Sequence, residues 1–309
     1  MPAAEIGVAR WDIPKQGGEP PCPRSGHSFS VVGRRAFLFG GCGEVNGNAA
    51  AFNDMFQLEM SNCEWKKIEI SGSVVPAPRW NHSMTTTSGT SMVLFGGCSK
   101  KERFADVFSF DANGDGSFTQ IVAEGTAPFP RSSHAAVYAE NQIFYFGGYG
   151  GEGKSRVFMN DMFSLVFADE KATWVHHAHK GTAPKPRCSH SMTPIANGKM
   201  LIVVGGRDHM GYFDDSNIFD VATLTWTQLN NSPNPPMPLP LCGHTAMSLE
   251  AVPSFKVFVF GGQTGSAAER KEWTYTSSIS VFDTNSQTWD ATTVKGDQFP
   301  CAREDHRWA

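Results

Sequence analysis

Five arginine–histidine pairs are the first groups in this 309-residue sequence that could do chemistry: Arg24/His27, Arg79/His82, Arg131/His134, Arg187/His190 and Arg303/His306, each with two residues between. An imidazole titrates near neutral pH and binds metals, and a guanidinium holds anions. One such pair would suggest acid–base or metal chemistry. Five copies spread from end to end suggest something every part of the fold needs, and hydrogen bonding where a strand begins is the expected role.

The remaining constellations have equally plain readings. Gly148-Tyr149-Gly150-Gly151-Glu152-Gly153 fits G-x-G-x-x-G, and Asp169 follows about 20 residues later. A dinucleotide site needs a helix there to aim its N-terminus at pyrophosphate, yet KSRVFMNDMFSL reads as loop and strand. Asp111, Asn113, Asp115 and Gly116 imitate a calcium loop, but the closing glutamate position holds Val122, so a polar hairpin turn is expected. His176, His177 and His179 could chelate zinc through the two that share a strand face, although an exposed outer strand is the simpler expectation. No G-x-S-x-G elbow, H-E-x-x-H helix or phosphate-binding loop occurs. No cofactor and no metal are expected.

The elements that position these groups form a repeat. Five apolar runs end in Gly-Gly, with first glycines at Gly40, Gly96, Gly147, Gly205 and Gly261, in steps of 56, 51, 58 and 56. Histidines keep the same rhythm, and an aromatic residue precedes each by 16 to 18 positions: Trp11, Trp65, Phe118, Trp174, Trp226 and Trp289. Each unit reads as four strands. Strand a starts at the histidine. Strand b is the run into Gly-Gly, apolar enough to be buried on both faces. Strand c is the NDMFQL, ADVFSF, NDMFSL, SNIFDV and SSISVF series, and strand d carries the aromatic. Stacking four-stranded sheets radially buries their faces, and a period near 50 fits a kelch-length blade better than the shorter WD40 one.

Composition agrees. Gly and Pro together make 50 of the residues, which suits many short strands and frequent turns. A net charge of −4 offers no basic footprint for nucleic acid, and no apolar run is long enough to span a bilayer. The N-terminus lacks the pattern of a secretory signal, and seven scattered cysteines suggest reduced thiols. The expected location is cytoplasmic, with the nucleus as the alternative.

With the Gly-Gly, the later aromatic and the G-x-x-P-x-P-R-x-x-H joint in view, the sequence resembles kelch repeats of the host-cell-factor and Rab-effector type. The resemblance covers essentially the whole chain, with Leu241 replacing the arginine in the fifth unit and Phe118 the tryptophan in the second. It implies an all-β propeller in one domain over residues 1–309, with five complete blades near 22–72, 76–125, 127–182, 183–231 and 238–296. Residues 8–15 and 300–309 would contribute pieces of strands d and a to an incomplete sixth blade, leaving it short of strands b and c. That gap implies either a truncated product or an edge that a partner strand could fill. The family resemblance implies a non-enzymatic adaptor that binds protein. Kelch-fold enzymes, such as metal-dependent oxidases, epimerases and specifier proteins, are the alternative, as is a module of a longer architectural protein. The specifier motif E-x-x-x-D-x-x-x-H is absent.

Alternating strand direction places the b–c and d–a loops at one end. The spacing from Gly-Gly to the aromatic varies from 21 to 28 residues, so most length variation lies in b–c. Variable loops on a regular scaffold are where specificity is usually carried. Their cations and aromatics are the candidate contacts: Arg103, Lys154, Arg156, Arg207, His209, Tyr212, Arg270, Trp273 and Tyr275. Arginine and large aromatics are common anchors of interfaces. The expected partner is a protein peptide or loop carrying some acidic residues.

Overall fold

A computed structural model describes residues 9–10, 12–153, 155–169, 171–229, 240–251, 254–265, 274–291 and 294–295. Twenty strands make five four-stranded antiparallel sheets, the blades. Blade 1 comprises β1 (Ser28–Val32), β2 (Arg35–Phe39), β3 (Met55–Glu59) and β4 (Glu64–Ile68). Blade 2 comprises β5 (Ser83–Thr86), β6 (Ser91–Phe95), β7 (Val107–Asp111) and β8 (Phe118–Gln120). Blade 3 comprises β9 (Ala135–Ala139), β10 (Gln142–Gly150), β11 (Val157–Ala168) and β12 (Lys171–His177). Blade 4 comprises β13 (Ser191–Ile195), β14 (Met200–Val204), β15 (Ser216–Asp220) and β16 (Thr225–Gln228). Blade 5 comprises β17 (Thr245–Ala251), β18 (Ser254–Phe260), β19 (Ile279–Asp283) and β20 (Thr288–Ala291). The first strands of successive blades lie side by side in chain order, as in a β-propeller. Among the described residues, no helix is long and apolar enough to cross a membrane.

Burial follows from the stacking. The second strand of each blade alternates its side chains between two neighbours. In β6, Met92 and Leu94 join Phe37, Phe39 and Met55 of blade 1, while Val93 and Phe95 join Ile143, Tyr145 and Trp174 of blade 3. Two further cores join blade 3 to blade 4 and blade 4 to blade 5. The repeating aromatic of the fourth strand is the wedge: Phe118 lies 5.2 Å from Phe39, Trp174 5.1 Å from Phe95, and Trp226 4.9 Å from Phe146, each on the preceding blade. Full burial of one such side chain contributes about 1.5–3 kcal/mol.

The joints between blades run through the main chain. The residues before His82, His134, His190 and His244 have positive φ, and the amide of each donates to the matching carbonyl of the previous blade. Asn81 donates to Gly26 (2.7 Å), Ser133 to Asn81 (2.8 Å), Ser189 to Ser133 (2.9 Å) and Gly243 to Ser189 (2.9 Å). A second set uses the glycine pairs. The amides of Gly41, Gly97, Gly148 and Gly206 donate to the carbonyls of Arg79, Arg131, Arg187 and Leu241, each at the start of the next blade. At Gly96, a Cβ would stand 2.8 Å from the Arg131 carbonyl and 3.1 Å from the His134 ring, so only glycine fits there.

The linkers after β4, β8 and β12 run parallel to the fourth strand of the next blade, through Ser71 with Ser117, Glu124 with Thr173 and Lys180–Gly181 with β16. Gly17–Gly18 pairs with β4 in the same way. Val294–Lys295, the linker after β20, pairs in parallel with Ala9–Arg10.

Candidate partner-binding face

The repeated arginines are structural clamps. Arg79, Arg131 and Arg187 are fully buried, and each forms a two-pronged ion pair with an aspartate of its own blade: Asp106 and Asp215 immediately before the third strand, and Asp161 within it. In blade 3, Arg131 Nη1 also donates to the Gly147 carbonyl at 2.9 Å and Nε to the Phe129 carbonyl at 3.1 Å. Arg24 repeats the pattern on Asp54 and stacks 4.2 Å from the Phe52 ring centre. The guanidinium fork thus ties the d–a segment to both ends of the b–c loop. In blade 5, Leu241 replaces the arginine, and Ser278 stands where the aspartate would be, its carbonyl accepting the Gly261 amide as Asp54's accepts that of Gly40.

Above the clamps, each b–c loop pairs with the d–a segment. Arg24–Ser25 pairs with Cys42–Gly43, and Leu241–Cys242 with Gln263–Thr264; single bridges join Trp80 to Cys98 and Cys188 to Arg207. The two loop sets therefore form one rim at one end of the axis. Each described blade junction is latched there. Lys100 Nζ donates to the Ala49 carbonyl at 2.9 Å. Arg103 stacks 4.7 Å from the Tyr149 ring and donates to Ser132. Phe158 lies 6.4 Å from the His209 ring, and the Tyr212 hydroxyl donates to Gln263 Oε1 at 2.9 Å. Burial pushes the Cys98 thiol up, against the Ser132 hydrogen bond and Arg103, so it is a poor nucleophile beneath this rim.

Residues 42–262 match the family model described as the KLHDC2/KLHL20/DRC7 Kelch-repeats domain. This chain belongs to the kelch-repeat family. It is 36% identical over 96% of its length to the dynein alpha chain of the flagellar outer arm of Chlamydomonas reinhardtii, and spans 7% of that protein. It is 31% identical over 77% of its length to Adagio protein 3 of Arabidopsis thaliana, spanning 38% of it. Host cell factor 2 of Homo sapiens is 31% identical over 66% of the chain, which spans 29% of that relative. Kelch domains generally mediate protein–protein interaction, and the propeller expected from the repeat is the fold of this family.

The candidate contacts of this kelch domain divide by what they touch. Arg103 and Tyr212 are half-buried and spent on neighbouring blades. Arg207, His209 and Tyr275 are exposed on blades 4 and 5, and exposed Arg156 donates to the Gly153 and Ser155 carbonyls of its own turn. Lys154, Arg270 and Trp273 lie outside the described residues. Three exposed apolar side chains on the same rim escaped the sequence reading: Val45, Val157 and, at 69% exposed, Met210. Met210 is held out by a turn in which its amide and that of Gly211 donate to Asp208 Oδ1.

The other motifs resolve into local structure. Residues 148–150 of the glycine-rich stretch belong to β10, and strand β11 follows. Asp111 accepts the Asn113 amide and the Thr90 hydroxyl in the β7–β8 turn, and these bonds hold its carboxyl below the usual range. His177 bonds Ser164 and His176 packs on Phe163. Among the described residues, no group of three or more His, Cys, Asp or Glu is placed to hold a metal.

Proposed function

We propose that this kelch propeller is a non-enzymatic adaptor whose b–c/d–a rim receives a protein peptide or loop. The observation that carries the reading is the contrast along the rim: its joints are latched, while Arg207 and Met210 project from blade 4 and Tyr275 is exposed on blade 5. A rigid ledge with a few projecting cations and apolar groups binds without a large ordering penalty. Arg156 and Arg207 favour a partner segment with acidic residues beside an apolar one. Lys154, Arg270 and Trp273 fall on the same loops and are proposed contributors. The parallel pair Ala9–Arg10 with Val294–Lys295 copies the linker pairing of the other blades, which supports the N-terminal segment as the outer strand of a sixth blade in a single domain. A cytoplasmic setting suits this role.

A second reading rests on the dynein relative. A likeness over 96% of this chain and 7% of that relative supports a module of a long flagellar or motor-associated protein, with the rim facing another component of the assembly. Both readings share one test. Affinity capture would compare the chain with Arg207→Ala/Met210→Ala/Tyr275→Ala and with Met60→Ala/Phe167→Ala, which alters exposed side chains outside the rim. Partners lost only from the first variant support the rim; partners unaffected by it place the contact elsewhere. Recovery of axonemal components favours the second reading.

A further inference from the structure

The axis of the propeller holds a cavity of about 170 Å³ between the first strands of the five blades. On the other side of the histidines, toward the b–c rim, a space of about 20 Å³ lies behind residues 81, 133, 189 and 243, whose backbones are joined in the hydrogen-bonded series. That gap holds about one water, whereas the cavity has room for a small solute.

Its wall repeats one hydrogen bond. The Nε2 of His82 bonds the hydroxyl of Ser28 at 3.0 Å, that of His134 bonds Ser83 at 2.9 Å, and that of His244 bonds Ser191 at 2.9 Å, each on the previous blade. At the joint between blades 3 and 4 the pattern breaks, because the position that holds serine at the other three is Ala135, which lines the cavity with His190. His190 is 5% exposed, and among the described residues its Nε2 has no hydrogen-bond partner. An orphaned buried nitrogen of this kind is unfavourable unless something completes it. The group missing from the ring is a hydroxyl. Ser28, Ser83 and Ser191 each keep hydrogen-bonding capacity beyond the one bond to imidazole.

Among the described residues that line the cavity, none is Lys, Arg, Asp or Glu. A charged ligand would lose its hydration with no counter-charge to replace it. Burial, followed by Arg187 and the neighbouring imidazoles, also keeps the His190 ring neutral.

We propose that this axial cavity binds a small uncharged polyol, with one hydroxyl opposite His190 Nε2 in the place Ala135 leaves and the others on Ser28, Ser83 and Ser191. The site is independent of the rim reading. It is tested by long-range ¹H–¹⁵N spectra of the imidazoles in the full chain, titrated with glycerol, acetate or methylammonium. The expected result is a saturable shift of the His190 Nε2 signal with glycerol and with neither ion. Ala135→Ser, which supplies the missing hydroxyl from the protein and leaves the fold intact, weakens that response at least tenfold. A linear or absent glycerol response means that water alone completes the ring, and overturns the proposal. So does a response to either ion, or glycerol binding to Ala135→Ser as to the parent chain.

Discussion

Arg131 has five N–H donors, and its side chain is fully buried against Asp161, Gly147 and Phe129. Removing it strands a carboxylate and a carbonyl together. Arg131→Leu should therefore destabilise by about 3 kcal/mol in urea unfolding, the lower end for a broken buried pair because Asp161 keeps some solvent. Adding Asp161→Ser recreates the Leu241/Ser278 combination of blade 5 and should recover at least about half of that loss. A double variant no better than the single one would show that the aspartate does not need its arginine. Histidine 190 sets a pH dependence at the same scale. Burial foremost, then Arg187, His244 and His134, hold its folded pKa well below the ordinary value. Below about pH 6.5 the unfolded chain takes up a proton that the folded chain refuses. Stability then rises with pH through this window and falls as acid is added, by at most about 1.4 kcal/mol per pH unit for one histidine. Urea midpoints should drop from about pH 7 to about pH 5, and less steeply in His190→Gln. Equal slopes in the two proteins would remove His190 from the account.

A blade is held in register by glycines that serve its neighbour as well as itself. Gly97 has φ of 93°, and a Cβ there would meet His82 Cβ at 2.8 Å and the Trp80 carbonyl at 3.0 Å. Gly33 also has positive φ, but nothing lies within 4 Å of the added atom. Gly33→Ala should cost about 1 kcal/mol for the backbone alone, and Gly97→Ala at least about twice that. Equal losses in thermal unfolding would mean that close approach is not what the glycine provides. The strands themselves were legible, because the histidine, the Gly-Gly and the aromatic each mark a contact made once per blade. The aspartates were legible too but unread: they open strand c only in the four units that keep the arginine. The display of Met210 was hidden, since it depends on Asp208 accepting two amides of its own turn. The latching of Arg103 was hidden for a similar reason: its partner Tyr149 lies on another blade.

At the scale of the molecule, the chain must close a circle. Ala36 and Leu38 of blade 1 and Val281 of blade 5 are buried on faces turned away from their described neighbours. The pairing of Ala9–Arg10 with Val294–Lys295 lies at this junction. Removing residues 1–10 should lower the unfolding midpoint and expose the amides of blades 1 and 5 to hydrogen exchange ahead of those of blade 3. Uniform exchange across the blades would argue that the pair carries no load. The joints between successive blades have one more consequence. The amide of Gly206 bonds the carbonyl of Leu241 just as that of Gly148 bonds Arg187, although the side chains share nothing. Main-chain atoms are the same in every residue, so a newly copied blade meets its neighbours with matching donors and acceptors before any mutation tailors it. Gene duplication can thus lengthen such a ring without redesigning the seams, and the loops above them are left to diverge.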